Sequence, residues 1–196
     1  MTRMKAIAVF CGSKTGTNPN FEIQTRVLGK LLADNNITLI YGGGNKGLMG
    51  AVANAALENG GKVIGIIPQV LMEWEQHHKG LTELHVVETM HIRKQMLYEK
   101  CDAAVILPGG YGTLDEVFEM LTLVQTRKTR KHIPILFFGS DYWKKVMNLE
   151  VMHEWGMISP EDHQLYRHVD TVEEARDFLI AEMTKHYLTA DGGRRG

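Results

Sequence analysis

Cysteine is almost missing from this chain: Cys11 and Cys101 are the two examples in 196 residues. A pair so far apart gives no disulfide framework and no C-x-x-C metal knuckle. Each borders an apolar run (6–10 before Cys11, 102–105 after Cys101), so both are expected to be buried free thiols in a reducing compartment. An excess of charge of either sign is lacking too. Lys and Arg number 22 against 23 Asp and Glu, a net charge of −1, which gives no global attraction to nucleic acid or anionic lipid. No run approaches the roughly 18 apolar residues of a spanning helix. The first apolar run carries Lys5 and is too short for a signal-peptide core. These absences lead us to expect a soluble, cytoplasmic protein with neither nucleic acid nor membrane as partner.

What is present is ordinary in bulk, with 44% hydrophobic and 23% charged residues, which excludes a disordered chain. Glycine is the exception, at 20 residues, about a tenth of the chain where about 7% is usual. The length fits one domain, placed at 1–189, with 190–196 (ADGGRRG) expected as a disordered tail.

Short apolar runs alternate with helical patterns. Strands are expected at 6–10, 37–41, 62–67, 103–107 and 133–138, with shorter ones at 84–87 and 169–170. Helices are expected at 21–33, 48–57, 90–100, 113–126, 142–153 and 172–186. Residues 68–89 break the rhythm and read as an excursion over the strand ends, a candidate lid. Continuously apolar strands separated by helices indicate a parallel sheet covered on both faces. The expected fold class is therefore α/β: a Rossmann-like, doubly wound parallel sheet in a three-layer αβα sandwich. Such sheets bind ligands outside the carboxyl ends of their strands.

The glycines gather there. One strand runs into Gly42-Gly43-Gly44-Asn45-Lys46-Gly47-Leu48-Met49-Gly50, and another into Pro108-Gly109-Gly110-Tyr111-Gly112-Thr113-Leu114-Asp115-Glu116. Gly12-Ser13 follows the first strand. Glycine lets backbone N–H groups approach an anion at a helix N-terminus, although tight turns alone also use it. Neither loop is a G-x-G-x-x-G dinucleotide fingerprint or a G-x-x-x-x-G-K-[ST] loop, and Ile67 leads into Pro68-Gln69 without the acidic residue that NAD binding needs. A mononucleotide or sugar phosphate fits better.

Acids crowd the second loop: Asp115, Glu116 and Glu119 lie within two helical turns. Favourable contact with the helix N-terminus is worth about 0.3–1 kcal/mol each and would account for them. Beside a phosphate site, however, they would repel the ligand, which makes a catalytic carboxylate the alternative. Upstream, Met90-His91-Ile92-Arg93-Lys94 opens a helix with two cations that cannot share a face. His77, His78, His85 and His91 match no zinc spacing, so no metal is expected. The basic run Arg127, Lys128, Arg130, Lys131 reads as a cationic helix end, and Tyr142-Trp143 as core.

The segment 108–116 resembles the P-G-G-x-G-T-x-x-E motif of the Lonely guy family, and Met90 to Lys94 resembles its M-H-x-R-K element. Loop 41–50 is similar to its first glycine loop, and the similarity extends over about residues 5–185. Members are cytokinin riboside 5′-monophosphate phosphoribohydrolases, many of them mislabelled lysine decarboxylase. The resemblance implies a homodimer, with the active site near the interface. It would hydrolyse the N-glycosidic bond of cytokinin nucleotides and AMP to free base and ribose 5-phosphate, without metal or redox cofactor. Arg93 and Glu116 match the family's catalytic pair. Substrate contacts are implied for Ser13, Gly43, Gly44, Gly47, Met49, Met90, Lys94, Gly109, Gly110, Tyr111, Gly112, Thr113, Leu114 and Asp115. Glu75 falls where the family has a binding glutamate, with Glu73 as its rival. Two alternatives stay open: a broader nucleotide 5′-monophosphate nucleosidase, and a non-catalytic nucleotide or molybdenum-cofactor binder, which would have no need of the Arg93/Glu116 pair.

Overall fold

The first apolar run forms β1 (Ala6–Phe10), buried along its whole length. The computed structural model describes residues 5–72, 76–126 and 133–192. α1 (Pro19–Asp34) follows, capped by the Asn18 side chain and opened by proline, which suits a first helical position. Then come β2 (Thr38–Tyr41), α2 (Gly47–Glu58), β3 (Val63–Pro68), the single turn α3 (Gln69–Met72) and β4 (Glu83–Val87). The second half runs α4 (Met90–Lys100), β5 (Ala103–Ile106), α5 (Tyr111–Gln125), β6 (Ile135–Phe138), α6 (Ser140–Val146) and α7 (Leu149–Glu154). A 3₁₀ turn (Pro160–Leu165), β7 (Tyr166–Val169) and α8 (Val172–Gly192) complete it.

The seven strands of the described residues make one parallel sheet in the order β4-β3-β2-β1-β5-β6-β7. Alternation along β1 builds both cores. Ile7, Val9 and Cys11 face a layer containing Leu28 and Leu32 of α1, Val52 of α2 and Leu179 of α8. Ala6, Ala8 and Phe10 face the opposite layer, with Leu97 of α4, Val117 of α5 and Trp143 of α6. This is the expected three-layer doubly wound sandwich, and both cysteines are buried free thiols.

Three local expectations change. The strand at 83–87 belongs to the sheet as its β4 edge, so the excursion is shorter than 68–89. The helix expected at 142–153 is two, α6 and α7, separated by Met147 in extended conformation. The final strand covers Tyr166–Val169 rather than 169–170. α8 continues to Gly192, and the rest of the expected tail lies outside the described residues.

Candidate functional site

From β1 the chain winds outward to β4, then crosses back to place β5 on the other side of β1. The connections leaving β1 and β5 therefore diverge, opening a crevice at their carboxyl ends. Its floor is tied by Leu107 N–H to the Phe10 carbonyl at 2.9 Å and Gly12 N–H to the Pro108 carbonyl at 3.0 Å. The motif at 108–116 and the Gly12-Ser13 turn thus meet across this switch point.

Arg93 reaches the same region from the first turn of α4, a helix started by Thr89, whose hydroxyl accepts the Ile92 N–H at 3.2 Å. Its Nε donates to the Ile66 carbonyl at 3.2 Å and its Nη2 to Glu116 Oε1 at 2.7 Å. Met90 Sδ lies 3.9 Å from Nη1. Arg93 is 9% and Glu116 8% exposed. Taking both charges out of water is costly, and only their mutual attraction and hydrogen bonds offset it. Burial, then the Glu116 charge, pushes the Cys11 thiol pKa up, so Cys11 stays protonated. Burial likewise pushes the Tyr41 hydroxyl up.

Lys94, one residue on, points elsewhere, as helical neighbours must. Its Nζ bonds Asp115 Oδ1 at 3.0 Å and also pairs with Glu119. Burial alone would lower its pKa, but the bonds and charges of Glu119 and Asp115 outweigh it and raise the value. The three acids of α5 are thereby divided: Glu116 turns to the buried Arg93, and Asp115 and Glu119 to Lys94.

The two glycine loops differ in geometry. In the first, a Cβ on Gly42 would collide with the Arg93 guanidinium, and it would also touch Met49 Sδ at 3.5 Å. Gly47 has φ +58, and its Cβ would strike the Ser13–Lys14 backbone. The Gly43 carbonyl accepts from His78 N–H at 2.9 Å and the Gly44 carbonyl from the Tyr41 hydroxyl at 3.0 Å. The N–H groups of Leu48 and Met49, at the start of α2, both turn to the Gly12 carbonyl, at 3.1 and 3.4 Å. In the second loop, Cβ atoms on Gly110 or Gly112 would meet nothing within 4 Å. Packing does not demand these two glycines; they keep the N-terminus of α5 open, where the first N–H groups of a helix lack intrahelical partners.

A cleft of about 350 Å³ lies alongside, lined by residues including Ser13, Lys14, Phe21, Leu48, Gly109 and Tyr142. Of the expected contacts, Ser13, Gly109 and Gly110 line this cleft, and Tyr111, Gly112 and Thr113 follow as the first turn of α5, Tyr111 being 93% and Thr113 3% exposed. Met90 borders Arg93, and Met49 lies beside Gly42 as Arg93 does. Leu114 and Asp115 sit with Lys94 on a neighbouring surface. Gly43 and Gly44 are buried within the scaffold. Glu75, Glu73 and the basic run at 127–131 lie outside the described residues.

Three residues carry roles that the sequence alone does not announce. Gly42 makes room for Arg93. His78 is buried against the first loop. Tyr142, expected as core, lines the cleft and donates its hydroxyl to the Gly109 carbonyl at 2.6 Å. Its neighbour Trp143 is core, as expected. Among the described residues no His, Cys, Asp and Glu cluster is arranged to hold a metal ion.

Fold and site together define a Rossmann-like α/β protein with a built pocket at its switch point. Over residues 49–179 the chain matches the family described as "Possible lysine decarboxylase". It is 38% identical over 159 residues to the cytokinin riboside 5′-monophosphate phosphoribohydrolase LOG7 of Arabidopsis thaliana, covering 81% of this chain and 73% of that protein. It is 39% identical over 158 residues to the cytokinin riboside 5′-monophosphate phosphoribohydrolase of Rhodococcoides fascians, covering 80% and 79%. In three dimensions it resembles the molybdenum cofactor binding protein of Rippkaea orientalis, with a TM-score of 0.68 at 20% identity over 93% of this chain and 99% of that one. That likeness concerns the fold alone. The chain belongs to the Lonely guy family, whose motifs it carries.

Proposed function

We propose that this protein hydrolyses the N-glycosidic bond of nucleoside 5′-monophosphates, cytokinin riboside monophosphates and AMP among them. Water adds across the C1′–N bond, its hydroxyl going to C1′ and its proton to the base, which leaves free base and ribose 5-phosphate. The observation that carries this reading is the buried Arg93–Glu116 pair beside an open helix N-terminus. The names of the relatives supply the chemistry to which the pair is put.

In this mechanism the 5′-phosphate docks on the N–H groups at the start of α5, where the helix dipole favours an anion. Arg93 contacts the phosphorylated ribose and fixes its height over the sheet. Glu116, held by Arg93, then faces C1′, orienting the water and stabilising the positive charge of the oxocarbenium-like state. Lys94 and Asp115 complete the binding surface, and Glu75 is proposed to reach the nucleotide. Lys94 itself is no candidate for a Schiff base: its two carboxylate partners keep the ammonium charged, whereas a Schiff-base lysine must be neutral to react.

A homodimer with the active site near its interface is part of the proposal. Tyr111, Ile92, Met90 and Phe118 are exposed apolar side chains on the two helices that carry the site, which suits a second copy. Among the described residues no helix is long and apolar enough to cross a membrane, and we place the protein in the cytoplasm. Incubating the purified chain with AMP and with isopentenyladenosine monophosphate, and assaying base release, tests the activity. Release from both at comparable rates points to broad specificity; nucleotide binding without release from either contradicts the reading and favours a carrier.

A further inference from the structure

His78 is a buried histidine, 8% exposed, that the proposed mechanism does not use. Its Nδ1 accepts the Gly80 N–H at 3.0 Å. A ring nitrogen that accepts carries no proton, so the proton sits on Nε2, which donates to Asn54 Oδ1 of α2 at 2.9 Å. Burial lowers its pKa and so keeps the ring in this neutral form. With both nitrogens engaged, the ring is locked in one orientation.

The backbone around it is stitched to the first glycine loop. His78 N–H donates to the Gly43 carbonyl at 2.9 Å, and the Gln76 carbonyl accepts the Asn45 N–H at 2.9 Å. Gly44 and His77 face each other in an antiparallel bridge between these two bonds. One residue before Gly43 stands Gly42, against which the Arg93 guanidinium rests so closely that a Cβ has no room. The height of this loop therefore sets the space left for the guanidinium.

We propose that His78 is a positioning residue for the reaction, holding loop 42–45 where it keeps the Arg93 guanidinium on Glu116. It acts through Gly43 and Gly42 and does not touch the substrate. The proposal rests on the proposed function for its kinetic consequence, but not for its structural one. A change of about 1 Å in a catalytic group lowers rates by up to about a hundredfold.

The test compares His78→Ala, which removes both ring bonds, with His78→Gln, whose amide keeps a donor near the Nε2 position. Each is made in the wild-type and the Arg93→Lys backgrounds. With AMP as substrate, His78→Ala is expected to lower kcat about tenfold or more in the wild-type background, and His78→Gln to recover most of it. With Lys at 93 there is no guanidinium to misplace, so His78→Ala is expected to change kcat less than about twofold. Equal losses in both backgrounds, or none in the first, would overturn the proposal. If His78→Ala does not fold, Asn54→Leu removes the same ring bond from the helix side and is expected to show the same selectivity.

A second readout is independent of activity: the ¹⁵N signal of Arg93 Nε, identified by its loss in Arg93→Lys. It is expected to shift or broaden in His78→Ala and stay in place in His78→Gln. An unchanged signal in both contradicts the positioning role. A signal that shifts in His78→Ala, together with a wild-type protein that releases no base, would sink the proposed function and leave the positioning role standing.

Discussion

In the loop after β2, the N–H groups of Leu48 and Met49 turn inward to the Gly12 carbonyl; in the loop after β5, Gly110 and Gly112 face open space. Both loops join a strand to a helix, and both are rich in glycine. The first uses its glycines for close packing: against Arg93 at Gly42 and against the Ser13–Lys14 backbone at Gly47. The second packs one glycine closely, Gly109 against Thr113, and keeps Gly110 and Gly112 where nothing of the protein's own needs the room. A glycine-rich strand end is therefore not by itself a phosphate cradle. What distinguishes the two is the open space at the start of α5, against the engaged N–H groups at the start of α2.

This contrast can be broken by adding one methyl group at a time. Gly47→Ala is expected to have the largest effect, because φ +58 disfavours alanine and its Cβ meets rigid backbone. Chemical denaturation should show a loss of about 3 kcal/mol or more. Gly42→Ala is expected to cost less stability, about 1–3 kcal/mol, because a side chain rather than backbone must move. Its signature should be kinetic, with kcat falling about a hundredfold as the guanidinium leaves Glu116. Gly112→Ala is expected to behave oppositely: stability unchanged or raised by up to about 1 kcal/mol, since alanine favours the helix. Its KM for AMP should nevertheless rise about tenfold, because the methyl group intrudes where we propose that the phosphate docks. If Gly112→Ala destabilised the fold and Gly42→Ala did not, the assigned roles of the two loops would be reversed.

The smallest expected effect concerns acid. Burial depresses the pKa of His78, and burial together with Lys144, opposed by Asp170, depresses that of His168. Below the ordinary histidine value of 6.5 the unfolded rings take up protons that the folded rings resist. Stability is therefore complete above about pH 6.5 and declines as pH falls from there toward the folded values. Melting temperatures from pH 7.5 to 5 should show this decline, and His78→Gln should make it shallower. An identical slope in the variant would remove His78 from the explanation.

Much of this was legible in the sequence. Apolar runs such as Ala6–Phe10 and Ile135–Phe138 are buried on both faces, so periodicity marked them directly. Edge strands were harder. β7 carries Arg167 and His168, and β4 is only partly buried, so neither shows a continuous apolar run. The break between α6 and α7 rests on the backbone of Met147 and Asn148, which no residue-type signal announces. In the site, the motifs singled out Arg93 and Glu116, and helical geometry separated Arg93 from Lys94. The histidine pair at 77–78 matches no metal spacing, and nothing in the sequence marks its other use, because the hydrogen bond from His78 to Asn54 depends on a tertiary approach of α2. Gly42 escaped for a similar reason: its neighbour lies 51 positions away along the chain, and the triplet 42–44 gives no hint which glycine is crowded.

In the proposed function Glu116, held by Arg93, acts on the C1′ centre of a nucleoside 5′-monophosphate. Base release from AMP and isopentenyladenosine monophosphate by the wild-type chain and by Glu116→Gln tests it most directly, with circular dichroism to establish that both are folded. The wild type is expected to yield free base and ribose 5-phosphate, and the variant to be slower by at least about a hundredfold. A folded Glu116→Gln protein as fast as the wild type would contradict it.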